Sequence, residues 1–245
     1  SGDLRCVPVG LLESEDGRLL VEQFSIWNAA NFPWQAEKRR AAPISRDARL
    51  LIVDGAAGDA AEAGRMRASG RNDCECAAAA FANHDTIHGA SATREQVQQF
   101  ASQADVLHCR ASVSNGVHCP PLHLAFDEAE RAALPLSGHA FHAFPHCALG
   151  VLDVEYAGKE TEETGERWQR VCSALHYAGI SNVLIPQWNL PAEARRLFFE
   201  AFYGELGRGA SVRDARWQAS LRLRDIPKWR HPHHWAGFTL SVSHL

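Results

Sequence analysis

The run ALGVLDVEYAG at residues 148–158 is apolar, rich in Val and Leu and closed by a glycine, the pattern of a strand buried on both faces of a parallel sheet. It carries Glu155 to its C-terminal end. The earlier run DVLHC, residues 105–109, reads as a second such strand, and Ser112 follows just past it. In an open parallel sheet, ligands and chemistry gather outside the carboxyl ends of the strands. Ser112 and Glu155 therefore decide what this chain can do.

Strand and helix alternate around these two runs. RLLIVD (49–54), ending in Asp54-Gly55, is a short apolar strand followed by a turn, and further strands are predicted near 84–88, 148–154, 181–186 and 237–243. Helices are predicted at 58–69 and 72–82, broken by Ser69-Gly70. Thr93 with Gln96 forms a capping box at the start of another. An amphipathic helix fills 165–179 and stops at Gly179. Pro191 suits the first position of PAEARRLFFEAFYGEL, and Ser211 suits the cap of VRDARWQASLRL. The stretch 110–147, rich in His, Pro and Cys, reads as loops over one sheet edge with a short helix in DEAERAAL. The first 45 residues have little periodicity: a hairpin around Asp16-Gly17, then loop in NAANFPW. They are predicted to be an N-terminal extension packed on a domain spanning 46–245. The class is α/β, a three-layer α/β/α sandwich with a mostly parallel central sheet.

A chain of 245 residues can bury roughly three quarters of its unfolded surface, so its core needs no staples. With 46% hydrophobic and 22% charged residues, neither disorder nor a membrane span is expected, and no apolar run approaches the roughly 20 residues a bilayer requires. No charged n-region followed by an apolar h-region opens the chain, so a cytoplasmic location is expected. The only methionine is Met66, so Ser1 is read as following a removed Met or as the start of an excised domain. A net charge of −4 gives no pull toward nucleic acid; Lys38-Arg39-Arg40 and the arginines from Arg213 to Arg230 read as solvated helix faces. Seven cysteines, an odd number, fit a reduced interior better than a disulfide framework.

HPHHWAGF at 231–238 is similar to the closing His-Pro-aromatic-aromatic-Trp-Ala-x-Phe signature of the CHAT family of caspase-like cysteine peptidases. AGISNVLIPQWNLP (178–191) resembles that family's Ala-Gly-x-x-x-Val-x-x-x-x-Trp segment, and FYGELGRGASVRDARWQA resembles its Phe-Tyr, Gly and Ala-Gln pattern. ADVLHCRASV aligns with a family strand that ends in His-Gly, and GVLDVEYAG with one that ends in Ser-Ala-Cys-Glu-Thr-Gly. The resemblance implies a caspase-like fold from about Leu50 to the end. It also implies that the catalytic His stands as Ser112 here and the nucleophilic Cys as Glu155. His108 matches a histidine that the family carries inside the strand, but four extended residues, roughly 13 Å, separate it from position 112.

A thiol peptidase needs a thiolate-forming Cys beside a His that serves as base and then as acid. Ser112 and Glu155 supply neither, and a carboxylate at the nucleophile position opposes the stabilisation of an oxyanion. The chain is thus expected to be an inactive pseudo-peptidase, with no catalytic residues. His108, Arg110 and Trp188 are expected around a surviving groove, which Glu155 makes attractive to a basic side chain unless it pairs with Arg110. Two alternatives stay open. Cys147 beside His146, or Cys119 beside His118, could rebuild a nucleophile, and a shifted alignment would make Cys109 or Cys147 the reactive thiol. His139, His142, His146 and Cys147 could ligate zinc, although their intervals match no recognised module. No G-x-G-x-x-G or P-loop is present. No cofactor, nucleic acid or membrane is expected. The resemblance implies a partner protein, either an active CHAT peptidase or a repeat-containing sensor, and dimerisation, in a bacterial signalling, cell-death or anti-phage setting.

Overall fold

The computed structural model describes residues 11–26, 28–29, 44–55, 73–88, 93–115, 122–125, 133–135, 144–156 and 164–243. Their order is α1 (Leu20–Gln23), β1 (Asn28–Ala29), β2 (Arg49–Asp54), α2 (73–80), β3 (Asn83–His88), α3 (Arg94–Ala101), β4 (Val106–Asn115), β5 (Leu122–Ala125), β6 (Ala133–Pro135), β7 (Leu149–Tyr156), α4 (Thr164–Tyr177), β8 (Asn182–Pro186), α5 (Ala192–Gly207), α6 (Val212–Asp225), α7 (Pro232–Trp235) and β9 (Phe238–Val242). One sheet runs β1-β9-β8-β7-β4-β2-β3. Its five strands from β8 to β3 are parallel, β9 is antiparallel to β8, and β1 joins β9 in parallel.

Alternation along these strands divides the core into two layers. Leu50, Ile52, Val106, Leu149, Val151 and Leu184 pack under α2, α5 and α6, where Phe198 stacks on Phe238 at 3.8 Å. Leu51, Val53, Leu107, Cys109, Leu152 and Val154 face α3 and α4. The result is the α/β/α sandwich that the alternating pattern predicts. Ser211 caps α6 as expected, accepting from the Asp214 amide, and Thr93 accepts from Gln96 at the start of α3.

Several expectations need correction. The stretch after Cys109 is not loop: β4 continues to Asn115, and its last four residues pair antiparallel with β5, which in turn pairs with β6. The backbone hydrogen bonds of a hairpin set these strands, and no apolar run announces them. The last residues of the helix predicted in DEAERAAL therefore belong to β6, while 127–132, like the helix expected at 58–69, lie outside the described residues. Around Gly17 (φ 74°) there is a turn closed by a single bridge from Glu13 to Leu19, and the chain then enters α1. Pro191 occupies the cap of α5, one residue before the first helical position.

The early segment is tied to the C-terminal half. The Trp217 indole donates to the Val21 carbonyl at 2.7 Å, Arg224 pairs with Glu22, and buried Arg216 donates to the carbonyls of Phe238 (2.7 Å) and Ile26 (3.4 Å). Burial lowers the Arg216 pKa to about 10, which leaves it charged at neutral pH.

At Gly179 the end of α4 comes close to the backbone that approaches β7. This glycine has φ 104°, and a Cβ there would lie 2.5 Å from the carbonyl oxygen of Phe144, five residues before β7. Gly179→Ala should thus lose about 2–3 kcal/mol through the left-handed backbone and the clash. Urea unfolding of the variant checks this, and an unchanged midpoint would contradict it.

Candidate functional site

Among the parallel strands, chain order reverses at β2: β3 lies on one side of it and β4 on the other. Such a switch point opens a crevice at the carboxyl ends of the strands. One row of register partners crosses it: His88 on β3, Asp54 on β2, Arg110 on β4 and Asp153 on β7. Partners across adjacent strands share a face, and Ile52, His108 and Val151, two residues earlier, place that face under α5.

The helix layer completes the row. Arg110 Nε donates to Asp54 Oδ1 at 2.6 Å, and a second guanidinium nitrogen reaches the same oxygen. Arg195 of α5 stands with Nε 3.0 Å from Asp153 Oδ1 and 3.3 Å from Asp73 Oδ2, so one guanidinium joins α5, β7 and α2. Asp73 and Asp153 are 0% and 1% exposed. At the open edge, His88 Nδ1 lies 3.4 Å from Asp54 Oδ2. Among the described residues, three carboxylates thus face two guanidiniums in this layer. Burial, and then the charge of Asp153, raises the Asp73 carboxyl to about pKa 7; burial likewise raises Asp153, with Arg195 and Arg110 opposing.

Two residues beyond Arg110 and Asp153 on the same strands, Ser112 and Glu155 are themselves register partners. Ser112 is within β4, not past its end as expected, because the hairpin prolongs the strand. The two positions to which the resemblance assigns the catalytic pair are therefore neighbours, in the row above the charged one.

The other expected site residues lie as follows. His108 is fully buried: its Nδ1 is 2.7 Å from the Tyr203 hydroxyl, its ring packs edge-on against Phe199, and burial lowers its pKa to about 3. It belongs to the core and not to a groove wall, since strand position 108 faces α5. Arg110 is 6% exposed and engaged with Asp54. Trp188 stands two residues past β8; its indole donates to the His233 carbonyl at 2.8 Å and stacks on that imidazole at 5.7 Å. Gly237 admits this contact, since a Cβ there would sit 3.1 Å from the indole nitrogen.

Cys147 is 1% exposed, its thiol donates to the Leu149 carbonyl, and burial pushes its pKa up to about 12. Neighbouring His146 is exposed, so the two side chains part and form neither a nucleophile–base pair nor half a metal site. Cys109 is buried with its pKa also raised by burial. His118, Cys119, His139 and His142 lie outside the described residues. Among those described, no group of three His, Cys, Asp or Glu is arranged to hold a metal. No described helix is long and apolar enough to cross a membrane.

The CHAT domain family model matches residues 1–243. The chain belongs to the CHAT family. Its fold is accordingly the caspase-like one, and its relatives include peptidases. It is 35% identical over 66 residues to tetratricopeptide repeat protein 28 of Mus musculus, covering 27% of this chain and 3% of that one. It is 23% identical over 189 residues to the Homo sapiens protein of the same name, covering 63% and 8%. The chain thus spans under a tenth of the length of these curated relatives.

No local sequence pattern singles out Asp73, Asp153, Arg195 and His88. One signal was present: Arg110 and Asp153 are opposite charges inside two apolar strand runs, at the same spacing as Ser112 and Glu155. Because buried Asp73 takes up its proton near pH 7 and an unfolded Asp near its ordinary 3.8, the folded chain binds more protons between those values. The Asp73 contribution to stability therefore declines as pH rises through that window, while that of His108, buried neutral with its pKa lowered to about 3, grows with pH up to the ordinary histidine value. In Asp73→Asn this decline should flatten, whereas Arg195→Met, which strands two buried carboxylates, should cost about 3–5 kcal/mol. Urea titrations at pH 5 and pH 8 measure both; a change in stability between the two pH values that is the same in wild type and Asp73→Asn would contradict this assignment.

Proposed function

We propose that this CHAT-family chain is a pseudo-peptidase that acts as a protein-interaction or regulatory subunit. The observation that carries the reading is the register pairing of Ser112 with Glu155 above the row of Asp54, Arg110 and Asp153. Where the resemblance puts an imidazole and a thiol, the chain has a hydroxyl and a carboxylate. A carboxylate there, over a layer holding more carboxylates than guanidiniums, disfavours both a thiolate and an oxyanion.

The described cysteines support the same reading. Cys74, Cys109, Cys147 and Cys172 are buried, and half-buried Cys76 also has its pKa raised by burial; a reactive cysteine needs a lowered one. The alternative of a divergent cysteine peptidase then rests on residues such as Cys119. Partners of the kinds proposed are an active CHAT peptidase, a second copy of the chain or a repeat-containing sensor. The curated relatives are named for tetratricopeptide repeats, which supports the last. The setting proposed is signalling, cell death or defence within the cytoplasm.

In this reading Glu155 retains a basic partner side chain and does not cut the chain that bears it. Incubation with a random peptide library, with bound peptides and products read by mass spectrometry, tests both halves. Lys- and Arg-bearing peptides should be retained by the wild type, depleted at least fivefold in Glu155→Gln, and released intact. Products that vanish in Cys119→Ala or Cys147→Ala would replace the proposal with the peptidase reading, and equal retention by Glu155→Gln would remove the role of Glu155.

A further inference from the structure

Helix α5 carries two glycines that its own packing does not require. Gly204 and Gly207 lie in its last turns without positive φ; a Cβ at Gly204 would meet only Arg208 Nη1 at 3.8 Å, and one at Gly207 would meet nothing within 4 Å. Glycine is the poorest helix former after proline, so both weaken the helix without serving the fold. Both line a cavity of about 690 Å³ between α5 and α2, whose opposite wall includes Ala79 and Ala80. Small residues on both walls leave backbone open to close approach from outside.

The charges along this groove are not uniform. α2 and α5 begin together, tied by Asp73 and Arg195, and Arg46 is held near the end of α2 by the hydrogen bond from the Ala82 amide to its carbonyl at 2.9 Å. Arg46 and Arg208 therefore flank the glycine end. Arg208 holds Glu205 at 2.8 Å, while the exposed Arg46 side chain has no ion pair among the described residues. Toward the helix starts lie exposed Glu75 and the pair Arg196–Glu200. A ligand anionic along its whole length would meet Glu75 and Glu200. One with its negative charge at a single end would not.

We propose that this groove docks an acidic segment of a partner protein, its backbone laid against Gly204 and Gly207 and its carboxylates held by Arg46 and Arg208. This rests on the reading of the chain as a protein-interaction subunit, and it places a second contact on α2 and α5, whose shared Asp73–Arg195 pair joins them to β7. From Glu200 to Arg208 the helix rises roughly 12 Å, the reach of about four extended residues.

Fluorescence anisotropy of the full chain with the labelled peptide Gly-Ala-Gly-Ala-Glu-Glu, and with its Gln-Gln counterpart, tests this. The acidic probe should bind at least tenfold more tightly than the amide control, weaken with added salt, and lose at least tenfold in Arg46→Glu and in Gly207→Leu. Gly207→Leu adds its side chain to open space, so its thermal midpoint should equal or exceed that of the wild type, separating a blocked groove from a misfolded chain. Equal binding of the two probes, or acidic-probe binding unchanged by both substitutions, would overturn the proposal. So would an RNA oligonucleotide that binds more tightly and is lost in the same variants, since it would make the groove a polyanion site. Failure of the acidic probe while Lys- and Arg-bearing peptides are still retained would remove this groove alone; the converse would remove only the role given to Glu155.

Discussion

Arg110 and Arg195 hold the middle of this molecule together. Between them they engage Asp54 at the end of β2, Asp153 on β7 and Asp73 on α2, and so fasten three strands to two helices where the sheet opens at its switch point. Burying these charges is costly, and a buried ion pair rarely adds net stability over an apolar substitute of the same shape. Its effect is geometric. Taking away either guanidinium leaves carboxylates buried without a counter-charge, so the strand ends have one arrangement that satisfies the row. Burial, and then the charge of Asp153, raises the Asp73 carboxyl to about pKa 7, with Arg195 and Arg110 opposing.

That row is the platform on which positions 112 and 155 stand. A caspase-like sheet brings two adjacent strand ends together whatever residues occupy them, so the fold supplies juxtaposition and the side chains supply chemistry. Here the juxtaposed residues are a serine and a glutamate. We propose that such a place serves the recognition of a cation and not the generation of a nucleophile. The acid-seeking end of the groove between α2 and α5 is complementary to it in sign.

How legible each part was in the sequence follows from what set it. β2, β7, β8 and β9 are apolar runs because both their faces are covered, so they could be found within a residue or two. β5 and the extension of β4 mix polar with apolar residues and β6 has only three residues, so pairing, not composition, makes them strands; the local pattern reads as loop and, at Ala133 and Leu134, as the end of a helix. The pairing of Ser112 with Glu155 could be anticipated from family motifs. The orientation of His108 could not, because periodicity says which residues share a face but not which helix covers it, and here α5 does. Asp73 and Arg195 come to the row from helices distant in sequence, beyond the reach of any local pattern.

The central claim is that no cysteine of this chain has become an activated nucleophile. Intact-mass analysis after exposure to a limiting amount of a peptidyl thiol-reactive electrophile, with a simple alkylating agent as reference, tests it most directly. The account predicts that no cysteine is labelled faster by the peptidyl reagent than by the reference. Selective, stoichiometric labelling of a single cysteine would contradict it and mark the chain as a working peptidase.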